Sequence, residues 1–154
     1  MKIIITGCAG FIGYHVCKKF LNNNCKIIGI DNLNSYYTKK LKNDRINELN
    51  NKFINNFVFY HQDIENYLEI KKIFNKHKPH AVIHLAAQAG VRYSITNPKV
   101  YVSTNINGFF NVIEISRLFN IKYFFYASSS SVYGNNKNYP LNEEVTTDNP
   151  LSLY

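Results

Sequence analysis

The chain has 154 residues, of which 45% are hydrophobic, and it carries a formal net charge of +8. This length and composition indicate one globular domain with a core of its own and exclude a disordered chain. The sequence contains no apolar run of the about 18 residues that a membrane-spanning helix needs, and we expect neither a signal peptide nor a membrane partner. Cys8, Cys17 and Cys25 lack metal-ligand spacing, so we expect reduced thiols in a cytoplasmic protein and no metal site.

An apolar run at the start of the chain leads into a glycine-rich turn. Residues 2–6 are typical of a buried parallel strand, and Gly7, Gly10 and Gly13 follow at intervals of three. The next residues, 14–21, predict a helix. Such a turn lets backbone N–H groups and a helix N-terminus approach a pyrophosphate. Because the usual dinucleotide spacing is G-x-G-x-x-G, a glycine-rich turn with no ligand is the alternative interpretation.

A second apolar strand, residues 26–30, ends on an acid. Asp31 lies 18 residues after Gly13, close to the roughly 20 expected for the carboxylate that binds the adenosine ribose of a dinucleotide. A carboxylate repels a 2′-phosphate, and Asn32 and Leu33 follow where NADP binding would favour an arginine. The pattern therefore favours NAD over NADP. Alternatively, Asp31 is a strand-end acid that caps the next helix.

The rest of the chain alternates between helix and strand, which predicts a parallel sheet with helices on both faces. The predicted helices are 35–51, 65–77 and about 98–120, the predicted strands are 57–61, 81–85 and 122–127, and the predicted loop is 135–138. In the helix 65–77, the residues expected on the inner side are Leu68, Ile70, Ile73 and Phe74. The densest basic group is expected on a solvated helix face, where it alternates with acids and predicts no nucleic-acid partner. That group consists of Lys39, Lys40, Lys42, Arg45 and Lys52.

Four stretches of the chain carry a family resemblance. They are TGCAGFIG at 6–13, DNLNSYY at 31–37, HLAAQAGVRYS at 84–94 and SSSSVYG at 128–134. Over essentially its whole length the chain resembles the first half of an extended short-chain dehydrogenase/reductase, in the NAD-dependent sugar-nucleotide epimerase/dehydratase family. Within that family it is most similar to UDP-glucuronate 4-epimerases of the capsular polysaccharide type. The resemblance implies an α/β fold with a Rossmann-type doubly wound parallel sheet, truncated after the fifth strand.

The resemblance also implies NAD as the cofactor. The cofactor-binding residues that it implies are Gly7, Gly10, Phe11, Ile12, Gly13, Asp31, Asn32, Asp63, Ile64, Leu85, Ala86, Ala87 and Asn105. The glycines would cradle the pyrophosphate, Asp63 and Ile64 would line the adenine site, and Ala86 and Ala87 would leave room for the nicotinamide-side ribose. Asp63 is alternatively the N-cap of the following helix, and Asn105 is alternatively a polar contact inside its helix with no cofactor role.

The implied chemistry is reversible oxidation of the sugar ring of a UDP-sugar. In the family, a tyrosine takes a hydroxyl proton while hydride passes to NAD, and a serine or threonine hydrogen-bonds the same oxygen. Tyr154 and Ser129 hold these positions. Family dehydratases need an acid and a base after that serine, whereas Ser130 and Ser131 follow here, which favours epimerisation. Ser130 and Arg92 are the expected substrate-binding residues, with an exposed loop arginine as the alternative for Arg92.

The resemblance stops at Tyr154, the last residue of the sequence. The lysine of the family's Y-x-x-x-K motif and the substrate-binding domain would follow it. We therefore expect an exposed aromatic edge strand at 123–127, open apolar surface on the helix 98–120, marginal stability and no activity of the chain alone. The interpretations are a remnant of an epimerase, a split enzyme whose C-terminal half completes the UDP-sugar site, and a non-catalytic NAD-binding or interaction module. Full-length relatives are expected to be homodimers.

Overall fold

A single parallel sheet organises the computed structural model, which describes residues 1–137 and 139–154. Its strands in this part of the chain are β1 (Lys2–Thr6), β2 (Lys26–Asp31), β3 (Phe57–His61), β4 (Ala81–His84) and β5 (Tyr123–Tyr126). The order across the sheet is β3-β2-β1-β4-β5. The chain thus moves outward from β1 in one direction, returns, and moves outward in the other. This doubly wound arrangement, as expected, places a switch point between β1 and β4.

Helices cover both faces of the sheet. They are α1 (Phe11–Asn22), α2 (Lys39–Lys52), α3 (Tyr67–His77), α4 (Val91–Thr96), α5 (Pro98–Tyr101) and α6 (Phe109–Leu118), with a π-helical segment (Val102–Gly108) between α5 and α6 and a 3₁₀ turn at Ser130–Tyr133. One core cluster joins β1 and β2 to α1 and α2, and the other joins the opposite face to α3 and α6. Among the described helices, none is both long and apolar enough to cross a membrane.

The central strands are apolar on both sides because each side meets a helix layer. Ile3 and Ile5 face the α1/α2 cluster, whereas Ile4 faces the α3/α6 cluster. All three are at most 1% exposed. A strand buried on both faces shows a continuous apolar run instead of alternation. The limits predicted for the first and third strands are confirmed by the bounds of β1 and β3.

Two helices begin later than predicted. The helix expected at 35–51 begins at Lys39, because side chains of the preceding residues form local turns: Asp31 accepts from the N–H of Leu33, and Asn34 accepts from that of Tyr36. The helix expected at 65–77 begins at Tyr67, after Asn66, whose side chain accepts from the N–H of Glu69.

The inward face of α3 differs from the prediction at one residue. Ile70, Ile73 and Phe74 are buried, but Leu68 is 67% exposed. The buried residues follow the i, i+3, i+4 spacing of one helical face, and Leu68 lies two positions before it, on the opposite side. The inward placement of Leu68 is therefore wrong.

The predicted helix at 98–120 is divided by the π-helical segment, and α4 before it was not predicted. The fourth and fifth strands are each shorter than expected. Part of the predicted loop 135–138, Asn138, lies outside the described residues. The division of the long helix matters for the site, because Asn105 lies within the π-helical segment.

The sheet has an exposed aromatic edge at β5. Phe125 and Tyr126 are each 60% exposed, and β5 pairs with β4 on one side. On the neighbouring helical layer, Ile106 and Phe110 are also more than half exposed. As expected from the sequence, apolar surface is therefore open along this side of the molecule.

Candidate functional site

The carboxyl ends of β1, β2 and β4 surround a cleft of about 160 Å³. The predicted cofactor-binding residues that line it are Gly7, Gly10, Asp31, Asn32, Ile64, Leu85, Ala86 and Ala87. Asp63 lines an adjoining cavity that shares several of the same residues. Phe11, Ile12, Gly13 and Asn105 lie outside the linings of both cavities. The cleft lies at the switch point of the sheet, where ligands of doubly wound folds bind.

The glycine turn that follows β1 leaves no room for side chains at two of its positions. Gly7 has a φ of +70°, and a Cβ added there would lie 2.7 Å from the backbone nitrogen of Ala86. A Cβ at Gly13 would overlap the carbonyl oxygen of Gly7. The N–H of Gly10 donates a hydrogen bond to that same carbonyl oxygen at 3.0 Å, which closes the turn. The turn is thus packed against the end of β4, and it delivers the chain directly into α1.

The first turn of α1 carries N–H groups that no side chain caps. Its N-cap is Gly10, which has no side-chain acceptor, and its first turn contains no acid. Phe11 and Ile12 are 68% and 60% exposed. Because the first N–H groups of a helix have no partner within it, this terminus suits an anion.

Asp31 joins the end of β2 to the glycine turn. Its Oδ2 accepts a hydrogen bond from the N–H of Ala9 at 3.0 Å, and its Oδ1 accepts one from the N–H of Leu33 at 2.9 Å. The carboxylate is 8% exposed and borders the cleft. The N-cap of the next helix is Thr38, so the alternative that Asp31 caps that helix is wrong.

Asn32 and Asp63 are in contact beside Asp31. The Nδ2 of Asn32 donates to Oδ2 of Asp63 at 2.7 Å, and Oδ1 of Asp63 accepts from the N–H of Glu65 at 2.9 Å. The N-cap of α3 is Asn66, so the alternative role of Asp63 as the N-cap is wrong. These contacts hold the two loops after β2 and β3 together.

Ile64 forms the apolar part of the same wall. It is 3% exposed, and a Cβ added at Gly108 would lie 2.7 Å from its Cδ1. The Nδ2 of Asn111, on α6, donates to the carbonyl oxygens of Ile64 and Glu65, both at 3.0 Å. Helix α6 thus fixes the backbone on the β3 side of the site.

A buried hydrogen-bond network fixes the end of β4. The Oγ1 of Thr6 accepts from the N–H groups of Leu85 and Ala86, each at 3.2 Å, and lies 2.8 Å from Nδ1 of His84. Since the hydroxyl already accepts twice, its proton goes to His84. Burial lowers the pKa of His84 from 6.5 to about 4, so a neutral imidazole accepts this bond near pH 7.

Asn105 contacts the backbone of the loop that follows β4. Its Oδ1 accepts from the N–H of Gln88 at 2.8 Å, and its Nδ2 donates to the carbonyl oxygen of Gln88 at 2.9 Å. Gln88 itself is 5% exposed and lines the cleft. Asn105 therefore contacts the backbone of a residue that lines the cleft without lining the cleft itself.

Lys42 belongs to the site, contrary to the prediction of a solvated face. It is 4% exposed and lines the cleft, and its Nζ donates to the carbonyl oxygen of Asn34 at 3.1 Å and to its Oδ1 at 2.8 Å. Burial lowers the pKa of Lys42. The signal was present in the sequence, because Lys42, Ile46 and Leu49 share one helical face and all are buried.

The predicted catalytic pair is not joined by a hydrogen bond. The Oγ of Ser129 accepts from the N–H of Ser131 at the start of the 3₁₀ turn. The ring of Tyr154 lies edge-on to that of Tyr101, with centroids 5.9 Å apart. Ser130 is exposed, and Arg92 is exposed on α4 and not in a loop. The structure thus brings the predicted cofactor-binding residues together more closely than the predicted catalytic ones.

The three cysteines are buried, Cys8 within the glycine turn and Cys17 on α1. All three are free thiols, and burial raises the pKa of Cys17 to about 12. Across residues 1–137 and 139–154, no three His, Cys, Asp or Glu side chains cluster in a way that could hold a metal ion.

Comparison with known proteins assigns the chain to a family. Residues 4–154 match the family model of GDP-mannose 4,6 dehydratase. The chain belongs to this family. Among curated relatives, Protein CapI of Staphylococcus aureus is 49% identical over 154 residues, covering 100% of this chain and 45% of CapI. A UDP-glucuronate 4-epimerase of Thermodesulfobacterium geofontis is 45% identical over 151 residues, covering 98% of this chain and 46% of that protein.

Solved structures of UDP-glucose 4-epimerases have the same fold. One is the UDP-glucose 4-epimerase of Thermotoga maritima, determined with UDP-glucose, which has a TM-score of 0.86 and 36% sequence identity. The match covers 100% of this chain and 46% of the T. maritima chain. UDP-glucose 4-epimerase of Thermus thermophilus, determined with NAD, has a TM-score of 0.83 at 26% identity, with coverages of 100% and 46%. The chain therefore spans about half the length of the family members that it matches.

Proposed function

We propose that this chain is the NAD-binding part of a UDP-sugar 4-epimerase of the UDP-glucuronate or UDP-galactose type. The observation that carries the proposal is the convergence of the glycine turn, Asp31 and the end of β4 on one cleft. The names of the relatives and the NAD in the T. thermophilus structure support it. All of these proteins are about twice as long as the matched region, so the complete activity requires more than the residues present here.

The residues around the cleft suit the separate parts of a dinucleotide. The uncapped N–H groups of α1 suit a pyrophosphate, and the crowded glycine turn lets it approach the backbone. Asp31 suits the two hydroxyls of a ribose and disfavours a 2′-phosphate. Because β2 and β4 flank β1 on opposite sides, the adenosine half belongs over Asp31 and the nicotinamide half over Ala86 and Ala87.

In the complete site, this chain would supply the groups that move and hold a proton. When bound, NAD would supply the hydride acceptor for oxidation of a ring carbon of the sugar. Tyr154 would take the proton of the sugar hydroxyl, and Ser129 would hydrogen-bond the same oxygen. Ser130 and Ser131 offer no carboxyl group for water elimination, which supports epimerisation. We assign Arg92 and Ser130 to the UDP-sugar.

The rest of the complete enzyme is expected to cover the open edge of the sheet. Phe125 and Tyr126 are exposed on the edge strand β5, and Phe110 is exposed on α6. Unpaired strand groups and apolar surface of this kind favour association. This observation favours a part of a larger enzyme over a module that functions alone.

Calorimetric titration of NAD and of NADP into the 154-residue chain tests the cofactor assignment. We expect saturable binding of NAD and weaker binding of NADP. Asp31→Asn keeps one of the two acceptor oxygens and removes the charge that repels the 2′-phosphate, so it should reduce the preference for NAD. Equal affinities of the unaltered chain for both cofactors would contradict the role of Asp31.

Mixing the chain with the part of S. aureus CapI that the match leaves uncovered tests the catalytic assignment. Conversion of UDP-glucuronate to its 4-epimer should require both polypeptides and should be lost with Tyr154→Phe. Tight NAD binding by the chain without any epimerisation in the mixture would instead favour a non-catalytic NAD-binding module.

A further inference from the structure

Arg45 of α2 contacts the backbone of the glycine turn. Its Nη1 donates a hydrogen bond to the carbonyl oxygen of Ala9 at 3.0 Å and a longer one to the hydroxyl of Tyr37 at 3.4 Å. Arg45 is half-buried, and Ala9 has 0% exposure. Like Lys42, Arg45 therefore departs from the solvated face that the sequence predicts for its basic group.

The hydrogen bond from Arg45 fixes the orientation of the peptide between Ala9 and Gly10. The carbonyl oxygen of this peptide accepts from Arg45, and its N–H, that of Gly10, donates to the carbonyl oxygen of Gly7. The preceding N–H, that of Ala9, donates to Asp31. An anion site built from successive backbone N–H groups requires the carbonyl oxygens to point away from it. Because Gly10 is the N-cap of α1, this peptide sets the direction of the uncapped N–H groups that follow.

The side chain of Arg45 is itself held by α1. Its guanidinium carbon lies 5.7 Å from the centroid of the Tyr14 ring, and Tyr14 is 7% exposed. The hydroxyl of Tyr14 donates to Glu48, which also pairs with Lys18 at 2.8 Å. Guanidinium groups stack on aromatic rings and present their donors in a rigid plane. The donor that meets the glycine turn is therefore in place before any ligand binds.

We propose that Arg45 is a positioning residue for the pyrophosphate of the dinucleotide. By holding the carbonyl oxygen of Ala9, it keeps the N–H groups at the start of α1 directed into the anion site. This inference rests on the proposed binding of NAD. A turn that is ordered before the cofactor arrives loses less conformational entropy when the cofactor binds.

The role of Arg45 is specific to the part of the ligand that meets the glycine turn. Asp31, which is assigned to the adenosine ribose, retains the N–H of Leu33 as a second donor when the turn loosens. The affinity for NAD and for ADP, which both carry a diphosphate, should therefore depend on Arg45. The affinity for adenosine, which carries no phosphate, should not.

Dissociation constants of NAD, ADP and adenosine test this separation, measured from amide shifts in ¹H–¹⁵N spectra of the 154-residue chain and its variants. Arg45→Met keeps the aliphatic stem beside Tyr14 but removes the donors and the charge. It should weaken NAD and ADP about tenfold each, the effect of losing one hydrogen bond from a charged donor, and adenosine less than about twofold. Lys40→Met, the matched control, removes the same charge from an exposed position in the first turn of α2. It should change no ligand by more than about twofold.

The outcomes separate this inference from the one on which it rests. If the unaltered chain binds neither NAD nor ADP, the proposed function fails and the role of Arg45 falls with it. If the unaltered chain binds both, three results overturn the positioning role alone. Equal weakening of adenosine would show a general loss of structure, unchanged NAD and ADP would show that the contact has no effect, and equal weakening by Lys40→Met would show an effect of charge only.

The same spectra show whether each variant is folded. If Arg45→Met does not fold, Arg45→Gln, which is uncharged and shorter, takes its place with the same expected results. If adenosine binds the unaltered chain too weakly to saturate it, the amide shifts of Gly10 and Phe11 in the free chains decide. They should move in the Arg45 variant and stay in place in Lys40→Met, and unmoved shifts in the Arg45 variant would overturn the positioning role.

Discussion

Lowering the pH from 7 to 4 is expected to weaken the fold where β1 meets β4, because His84 must stay neutral to accept the hydrogen bond from Thr6. His84 is 5% exposed, and its burial lowers its pKa from 6.5 to about 4. Below pH 6.5 the unfolded chain takes up a proton at this residue, whereas the folded chain does not until about pH 4. The contribution to stability is therefore complete above pH 6.5 and is lost as the pH falls towards 4.

The size of the loss follows from the difference between the two pKa values. A pKa lowered from 6.5 to about 4 corresponds to about 3 kcal/mol of unfolding free energy. That is a large part of the roughly 5–15 kcal/mol that stabilises an ordinary domain. We expect a chain with an open sheet edge to lie near the lower end of that range.

Urea denaturation at several pH values between 7 and 4 measures the effect, with His84→Gln as the matched control. Glutamine can accept from Thr6 through its amide oxygen but does not titrate. His77 and the carboxylates Glu48 and Glu114, whose pKa values are also lowered, contribute equally in both chains. The unaltered chain should therefore lose about 3 kcal/mol more than the variant. Parallel loss of stability in the two chains would refute the reasoning.

Three further substitutions probe the site and the core. Gly13→Ala should destabilise the chain by about 2–3 kcal/mol and abolish NAD binding, since the added Cβ overlaps the carbonyl oxygen of Gly7; urea denaturation and calorimetry would measure both. Lys42→Met keeps the buried stem but leaves the oxygens of Asn34 without the ammonium donor. Urea denaturation should show a loss of about 1–2 kcal/mol in unfolding free energy. Unchanged stability would contradict a structural role for the ammonium group. Phe74→Ala removes a ring with 0% exposure and should cost about 3–5 kcal/mol in the same assay, whereas a cost below about 1 kcal/mol would show that the α3/α6 cluster does not support the fold.

The features that were predictable from the sequence are those set by neighbouring residues. The limits of β1 and β3 follow from apolar runs. The placement of the glycine turn and Asp31 at one edge follows from their position directly after two parallel strands. The spacing of the glycines is itself a steric requirement, since at Gly7 and Gly13 a side chain would meet backbone. These features depend on short stretches of the sequence, so a sequence pattern predicts them.

The features that were not predictable from the sequence depend on which helices and loops pack against each other. The spacing of Lys42 to Ile46 and Leu49 indicates the buried face of its helix, but the loop of Asn34 that accepts its hydrogen bonds is brought there only by the fold. The apolar character of Leu68 suggested the core, but the face of α3 is set by the residues that pack on α6. The bonds of Asn105 to Gln88 depend on a π-helical segment that periodicity does not reveal. Tertiary contacts decided each case.

The hydrogen bonds of Asp31 have a consequence for any attempt to redesign cofactor choice. The carboxylate that would discriminate between the two nicotinamide dinucleotides also supplies the acceptor for the N–H groups of Ala9 and Leu33. Replacing it with a small or basic residue to admit a 2′-phosphate would leave both donors without that acceptor, one of them in the glycine turn itself. Selectivity and the shape of the phosphate-binding turn therefore cannot be altered independently at this position, and a successful exchange would have to bring a new acceptor for Ala9 along with the new charge.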